Sequence, residues 1–502
     1  TGACFKDRFV RDSLFHIRRN DSLSIHSQIR TMLVSAILDG HLAPGMALPS
    51  CRKMSTTLGV SRNTVALAYQ SLVDDGYLLS RERSGYYISG ENLTGRSKAP
   101  EQAPRHKDTP DWEGRFGVEP SSQRNIDLPR DWRSYPYPFT YGQVDQDLFP
   151  LTEWRECSRQ ALSKSAMEED SCDIFCDDDA LLVEQICLRL LPRRGIRVNA
   201  DQILVTLGGQ NAIYLLANLL MTEKTTVAFE EPGYPDVRNI FSLRTPNLVP
   251  IPVDDEGLPV DQRLDDCDYV FVTPSHQSPT TVTMPLARRE ALLKKAREKR
   301  FLIIEDDYEP EANYVNEPTP AIKSLDVDDR VIYVGSLSKT VFPGLRIGYL
   351  VGHPRLIAEA RALRRLMFRH PPNNNQRTVS LFLSLGHYDT LVHRLHRSYR
   401  ARWQCMGEAL AKHLPDSFRV PTFGGSSFWI RGPEGLDADA LAKEALQKGL
   451  IIQPGRVFFS SRSAPANYFR LGFSAIPIER IEPGIAILTS LIKEFTTSSS
   501  DV

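Results

Sequence analysis

A chain of 502 residues exceeds what one hydrophobic core organises, and 41% hydrophobic with 25% charged residues is the composition of ordinary globular protein, so two or three domains are expected. A formal net charge of −1 excludes whole-chain attraction to nucleic acid or membrane, so any basic surface must be local. No apolar run approaches the roughly 20 residues that span a bilayer, the first twenty residues lack the apolar stretch of a secretory signal, and 8 scattered cysteines without a Cys-x-x-Cys pair read as free thiols of a cytoplasmic protein.

The first predicted element is a helix over Ser24–Asp39, with Ile25, Ile29, Leu33 and Ile37 on one stripe. Ser50 is placed to cap a second helix, CRKMSTTLG, which Gly59 ends. Ser61 caps a third, in which Val65, Ala68, Tyr69 and Leu72 face inward and Arg62, Asn63 and Thr64 remain at the exposed N-terminal end. A helix, a short turn and a second helix led by polar and basic residues is the plan of a helix-turn-helix, whose second helix enters the major groove by that end. YLLSRERSGYYIS then reads as a two-stranded wing turning at Ser84-Gly85. On this reading Arg52, Lys53, Arg62, Arg81 and Arg83 meet phosphates, and Asn63 and Thr64, beside the capping Ser61, meet base edges. Spacing alone also permits a helical oligomerisation module with a solvated basic face. The elements PG-x-x-LPS-x-R and LGVSR-x-TV, however, closely resemble the winged helix of GntR-type bacterial regulators over nearly all of 23–88. That resemblance implies a DNA-binding domain at 13–90.

Residues 91–130, rich in Pro, Ser and charge and poor in periodic apolar positions, read as a linker. From 131 to 495 short apolar strands alternate with helical stretches. The predicted strands are ILVT at 203, TVAF at 226, VPIPV at 249, YVFVT at 269, FLIIE at 301, VIYV at 331 and IGYLV at 347. Several are uniformly apolar, as strands covered on both faces are, which argues for a large, mainly parallel α/β sheet. After about residue 390 the pattern changes to a smaller α+β subdomain.

VIYV runs straight into GSLSKTVFPGLRIGYLV, which places Lys339 just past a buried strand. A positioned, partly desolvated amine there can form a Schiff base with an aldehyde cofactor. Ser336 and Arg346 suit a phosphate, as do the backbone amides of Gly209 and Gln210 in the turn TLGGQ at a helix N-terminus. FLIIE ends in EDDY, so Asp306 and Tyr308 point into the ligand crevice of an open α/β sheet. Taken singly, the Gly-Gly turn reads equally as a turn, EDDY as a solvated acidic loop and Tyr234 as a packing residue. Together, S-x-S-K-T-x-x-P-G-L-R-x-G-Y, EEPGYP, TPSHQ-x-P-T and YFRLGFS resemble a fold-type-I, aspartate-aminotransferase-like domain that binds pyridoxal 5′-phosphate (PLP).

The resemblance implies that Lys339 is the aldimine lysine. It also implies that Asp306 meets the ring nitrogen, Tyr308 the phenolic oxygen and Ser336 and Arg346 the phosphate. Tyr234 would stack on the ring and Arg470 would bind a carboxylate of the amino ligand. Ser275-His276-Gln277 stands where such enzymes place an asparagine, which makes His276 a candidate ligand contact. Asp236 stands where some relatives place a base. A GntR-type winged helix fused to this domain, with FTYGQVDQDLFP at the entry, resembles the MocR/GabR family of regulators. The implied protein is a homodimer with exchanged winged helices, two operator half-sites and an amine or amino-acid effector exchanged at Lys339. RHPPNNNQR and YPYPFTYGQVDQDLF look most like the branch handling ectoine or taurine. The competing reading is an aminotransferase in turnover that carries a DNA-binding appendage.

Overall fold

In the computed structural model the described residues are 17, 23–82, 84–90, 111–170, 177–315, 318–415, 424–461 and 463–498. The chain divides into two compact units, Thr1–Arg115 and Phe116–Val502.

The first unit is built from three helices, α1 (Ile25–Leu38), α2 (Cys51–Leu58) and α3 (Arg62–Asp74), and an antiparallel hairpin of β1 (Leu78–Arg81) and β2 (Gly85–Ile88). Each helix begins where a serine hydroxyl accepts a backbone N–H of the first turn. Ser24 takes Ser27, Ser50 takes Lys53 and Ser61 takes Thr64. α2 stops at Gly59, whose φ of 64° is the left-handed cap that glycine tolerates best. Ile29, Leu33, Ile37, Val65, Ala68, Tyr69 and Leu72 form its core. Ile25 does not join them: one residue inside the cap, it stays 43% exposed.

The second unit is organised by a seven-stranded sheet of β4 (Ile203–Thr206), β5 (Val227–Glu231), β6 (Leu248–Pro252), β7 (Tyr269–Val272), β8 (Leu302–Asp307), β9 (Val331–Ser336) and β10 (Gly348–Val351), preceded in the chain by the short β3 (Tyr137–Pro138). The spatial order is β4-β10-β9-β8-β7-β5-β6. All neighbours run parallel except β10, which is antiparallel to both β4 and β9. The uniformly apolar strands are explained by two cores. Phe271, Ile304 and Val334 pack on one face with the helix Gly209–Leu220, while Val270, Val272 and Ile303 pack on the other with the helix Leu286–Lys299. The smaller subdomain adds β11 (Ser427–Arg431), β12 (Leu450–Ile451), β13 (Gln453–Pro454) and β14 (Tyr468–Gly472), with β3 pairing on β12.

Two local features place the site. A buried pair, Arg194 Nε to Asp307 Oδ2 at 2.6 Å, clamps the end of β8, with Ser275 on the arginine at 2.8 Å and the Tyr333 hydroxyl on the carboxylate at 2.9 Å. The chain entering the large unit is tied down ahead of β3. Gln123 donates to the Asn239 carbonyl at 2.9 Å, and Arg124 donates to the carbonyls of Phe459 and Ser460 at 2.7 and 2.9 Å.

Candidate cofactor and effector site

The C-terminal ends of β4, β8 and β9 and the start of β10 meet at one edge of the sheet, since Gly348 pairs with both Thr206 and Ser336. A cavity of about 150 Å³ opens there. Each strand delivers its side chain by the same logic: the ladder ends and the next residues turn into the crevice. β4 leads through Gly208, at φ 84°, into the N-terminus of the helix Gly209–Leu220. β8 supplies Asp306 and is followed by Tyr308, and β9 supplies Ser336 and is followed by Lys339. Of the residues read from the sequence, Gly209, Gln210, Tyr234, Asp306, Tyr308, Ser336, Lys339, Arg346 and Arg470 all line this cavity.

Burial sets the electrostatics. Asp306 is pushed up to about 8, first by desolvation and then by Asp307 and Glu230, and its Oδ1 is buried without a hydrogen-bond partner. Such a carboxyl is short of a cationic N–H. Lys339 is pulled down to about 8, again chiefly by burial, with Glu309 opposing and Arg470 adding to the fall. That keeps a useful fraction of neutral amine near pH 7. Arg346 adopts φ 54° and donates to the Leu207 carbonyl at 2.9 Å, which holds its guanidinium beside the Gly208 turn. Ser338 presents a buried hydroxyl without a partner. Arg470 is 2% exposed and held through Nε by Gln453 at 2.7 Å, while its Nη2 is buried and unpartnered. A buried donor in that state is ready for an acid group.

Tyr141, Gln453, Thr273, Ser278 and Ile126 were not singled out from sequence. The Arg470 guanidinium lies 3.6 Å above the Tyr141 ring, and Lys339 Nζ lies 4.5 Å from the same ring. Tyr141 sits in FTYGQ, and that entry motif was the available signal. Gly142, at φ 72°, leaves the space Lys339 uses: a Cβ there would lie 2.2 Å from Nζ. The side chain of His276 is not among the lining residues. It is buried beside Arg194, Arg289 and Asp307 and pulled down to about 4 by desolvation, so it is neutral. Its contribution is its carbonyl, which takes the Tyr308 hydroxyl at 2.7 Å. Gln277 is spent on Glu230, Pro232 and Ser278. Asp236 accepts the Tyr234 hydroxyl at 2.8 Å and so fixes that ring.

In the first unit Arg52, Arg62 and Asn63 are exposed, whereas Thr64 is half-buried. The Ser61 hydroxyl is used by the cap and by Thr64 Oγ1 at 2.8 Å. Arg83 lies outside the described residues.

Residues 139–488 match the family described as aminotransferase class I and II, and residues 25–88 match the gntR family of bacterial regulatory proteins. The chain is 41% identical over 470 residues to the HTH-type transcriptional regulator TauR of Rhodobacter capsulatus, covering 94% of this chain and 97% of that one. It is 30% identical over 496 residues to the probable rhizopine catabolism regulatory protein MocR of Rhizobium meliloti, covering 96% of each. It belongs to the MocR/GabR family. Among solved structures, this MocR/GabR-type chain superposes on LysN, the α-aminoadipate aminotransferase of Thermus thermophilus, with a TM-score of 0.69 at 27% identity, over 77% of this chain and 99% of that one. LysN was solved with N-(5′-phosphopyridoxyl)-L-leucine. A kynurenine aminotransferase of Pyrococcus horikoshii gives the same TM-score and identity, over 76% and 98%. The chain is therefore a DNA-binding transcriptional regulator with a PLP-binding aminotransferase-like domain. The residues fit the cofactor: an unpaired buried carboxyl for the ring nitrogen, a phosphate cradle of glycine amides and Arg346, and an amine with a depressed pKa for the aldehyde. Among the described residues no helix is long and apolar enough to cross a membrane, and no cluster of metal-ligating side chains occurs.

Proposed function

We propose that this MocR/GabR-type regulator senses a primary amine that carries an acid group, by letting that amine replace Lys339 on the PLP aldehyde. One observation carries the reading. Lys339 and Arg470 line a single small cavity and both lie against the Tyr141 ring, so an amine holder and an anion receptor serve one ligand. PLP supplies an aldehyde that amines capture. Asp306 would hold the ring nitrogen, Tyr308 the phenolic oxygen, Tyr234 the ring face, and Ser336, Arg346 and the amides of Gly209 and Gln210 the phosphate. Arg470, braced by Gln453 and Tyr141, takes the acid group through its remaining N–H donors.

The winged helix at 13–90 reads its operator through Arg52, Arg62, Asn63 and Thr64, and a homodimer with exchanged winged helices presents two copies to repeated half-sites. Coupling between the ends requires the amine to bind two conformations with different free energy. Likeness to TauR favours an aminosulfonate such as taurine, with γ-aminobutyrate and diaminobutyrate derivatives as the other candidates.

The test is spectroscopic. Purified protein is expected to be yellow, and Lys339→Ala colourless. Titrating candidate amines while following both absorbance and operator affinity separates the roles. A shift in operator binding without released keto acid supports the sensor. Fast multiple turnover identifies an aminotransferase with an appendage, and a wild type that stays colourless with added PLP ends the cofactor assignment. Arg62→Ala is expected to weaken operator binding and leave the colour intact.

A further inference from the structure

Behind Lys339 lies a second, smaller cavity of about 30 Å³. Among the described residues Lys339 alone lines both it and the cofactor cavity. Two polar atoms of its wall are buried without a hydrogen-bond partner, Glu309 Oε2 and the Tyr314 hydroxyl, while the Tyr399 hydroxyl meets the Asp145 backbone. Neighbouring polar groups are already engaged. Glu311 takes the Tyr388 hydroxyl and, at 3.1 Å, that of Thr340, and His396 Nε2 is 2.9 Å from the Asn313 carbonyl. Unpaired buried oxygens are costly, and two around one small space call for a donor with several N–H or O–H bonds. A volume of this size holds one water or one ammonium head.

We infer that this cavity receives the ε-ammonium of Lys339 once an effector amine has displaced it, with Glu309 as the counter-charge. The exchange would balance with PLP bound: the effector's ammonium would shed a proton before its nitrogen bonds to the cofactor's aldehyde carbon, the lysine's C=N bond would break, and the three hydrogens the effector nitrogen brought would leave on Lys339 Nζ as an ammonium. A transaminase needs that nitrogen neutral and over the substrate as a base. Against Glu309 it is charged and turned away, so the ligand persists as a signal instead of being converted. Glu309 is a positioning residue in this scheme, and the scheme rests on the exchange at Lys339 proposed above.

The groups facing Lys339 are Glu309 and Asp306, which favour its charged form, and Arg470 and Arg346, which oppose it. Tyr141 lies against Nζ, and the Tyr308 hydroxyl lines the same cavity. Ser426, Lys339 and Arg470 face Glu309 and favour its ionised form against burial. The experiment uses the full-length protein freed of PLP. Modification of Lys339 by trinitrobenzenesulfonate is followed by peptide mass spectrometry across pH, in wild type, Glu309→Gln and Glu309→Asp. Glu309→Gln is expected to lower the midpoint by about one pH unit, which is a tenfold rise in labelling below it, and Glu309→Asp to restore part of the shift. Coincident profiles overturn the inference. Should Glu309→Gln not fold, Tyr314→Phe removes a hydroxyl from the same cavity and is expected to shift the midpoint in the same direction; no shift there also counts against it. With PLP restored, Glu309→Gln should lose its yellow absorbance faster than wild type when an effector amine is present. A wild type that never turns yellow refutes the exchange itself, whatever the labelling shows. A yellow wild type with unshifted labelling refutes only the role of Glu309.

Discussion

Gly142→Ala isolates the space that Lys339 depends on. The added methyl carbon would stand 2.2 Å from Nζ and 3.5 Å from Cε, so only the tip of the lysine must give way, by about 1.2–1.8 Å, to reach ordinary contact distance. The substitution also places an L-residue at φ 72°, which costs about 1–2 kcal/mol. Gly386 offers the matched control, because it has φ 77° and nothing within 4 Å of its Cβ. Gly386→Ala should carry the backbone cost alone: a Tm lower by a few degrees, with unchanged colour. Gly142→Ala should show a similar loss of Tm and, in addition, capture PLP far more slowly. A misplacement of about 1 Å at a reacting atom is worth up to roughly a hundredfold in rate. The assay is stopped-flow absorbance after mixing PLP with protein freed of it, beside a thermal melt of each variant. Equal capture rates in Gly142→Ala and wild type would refute the placement of Nζ against this glycine.

Three further outcomes are expected. Arg194→Ala leaves Asp307 buried without its cation and should cost about 3–5 kcal/mol in urea unfolding, while Arg193→Ala, on the exposed pair with Asp389, should cost under about 1 kcal/mol. Protein freed of PLP should lose stability as pH rises from about 4 to 8. The unfolded chain releases the Asp306 proton near 3.8 and the folded chain only near 8, so the folded form binds more protons in that window; Glu230 and Glu305, both pushed to about 7, slope the same way, and His276, pulled down to about 4 from 6.5, opposes them below 6.5 without reversing the slope. Melts across that range should show Asp306→Asn with a flatter dependence than wild type. Ser61→Ala removes the cap on α3 and should lower the Tm of the winged helix by an amount equivalent to about 1 kcal/mol, with weakened operator binding as a secondary effect; a large loss of operator binding without loss of Tm would make Ser61 a direct DNA contact.

What was readable in the sequence follows from how local the signal is. The seven sheet strands announced themselves by short, predominantly apolar runs, and Asp306, Tyr308, Ser336 and Lys339 were legible because each sits at or just past the end of such a run. The serine caps of α2 and α3 needed only their own first turn. Tyr141 and Gln453 were not legible, because nothing near either residue says that Arg470, which lies on β14, would settle between them. His276 misled for the opposite reason. It stands where the resemblance led an asparagine to be expected, but its ring is buried near Arg194, Arg289 and Asp307, from three distant segments, and its carbonyl is what meets Tyr308. Ile25 kept the apolar period yet lies where the helix has barely begun and no neighbour covers it.

The antiparallel pairing of β10 with β9 has a bearing on how the molecule assembles. Lys339 and Arg346 both lie on the connection between these two neighbouring strands, so the amine and the guanidinium are drawn together by closing one hairpin with a loop of about ten residues, an event of about 1–10 μs. Arg470 and Gln453 come from β14 and β13, more than a hundred residues downstream of β10, and such non-local contacts form late. The hairpin that carries Lys339 is therefore expected to form before the docking that brings Arg470 to the same cavity.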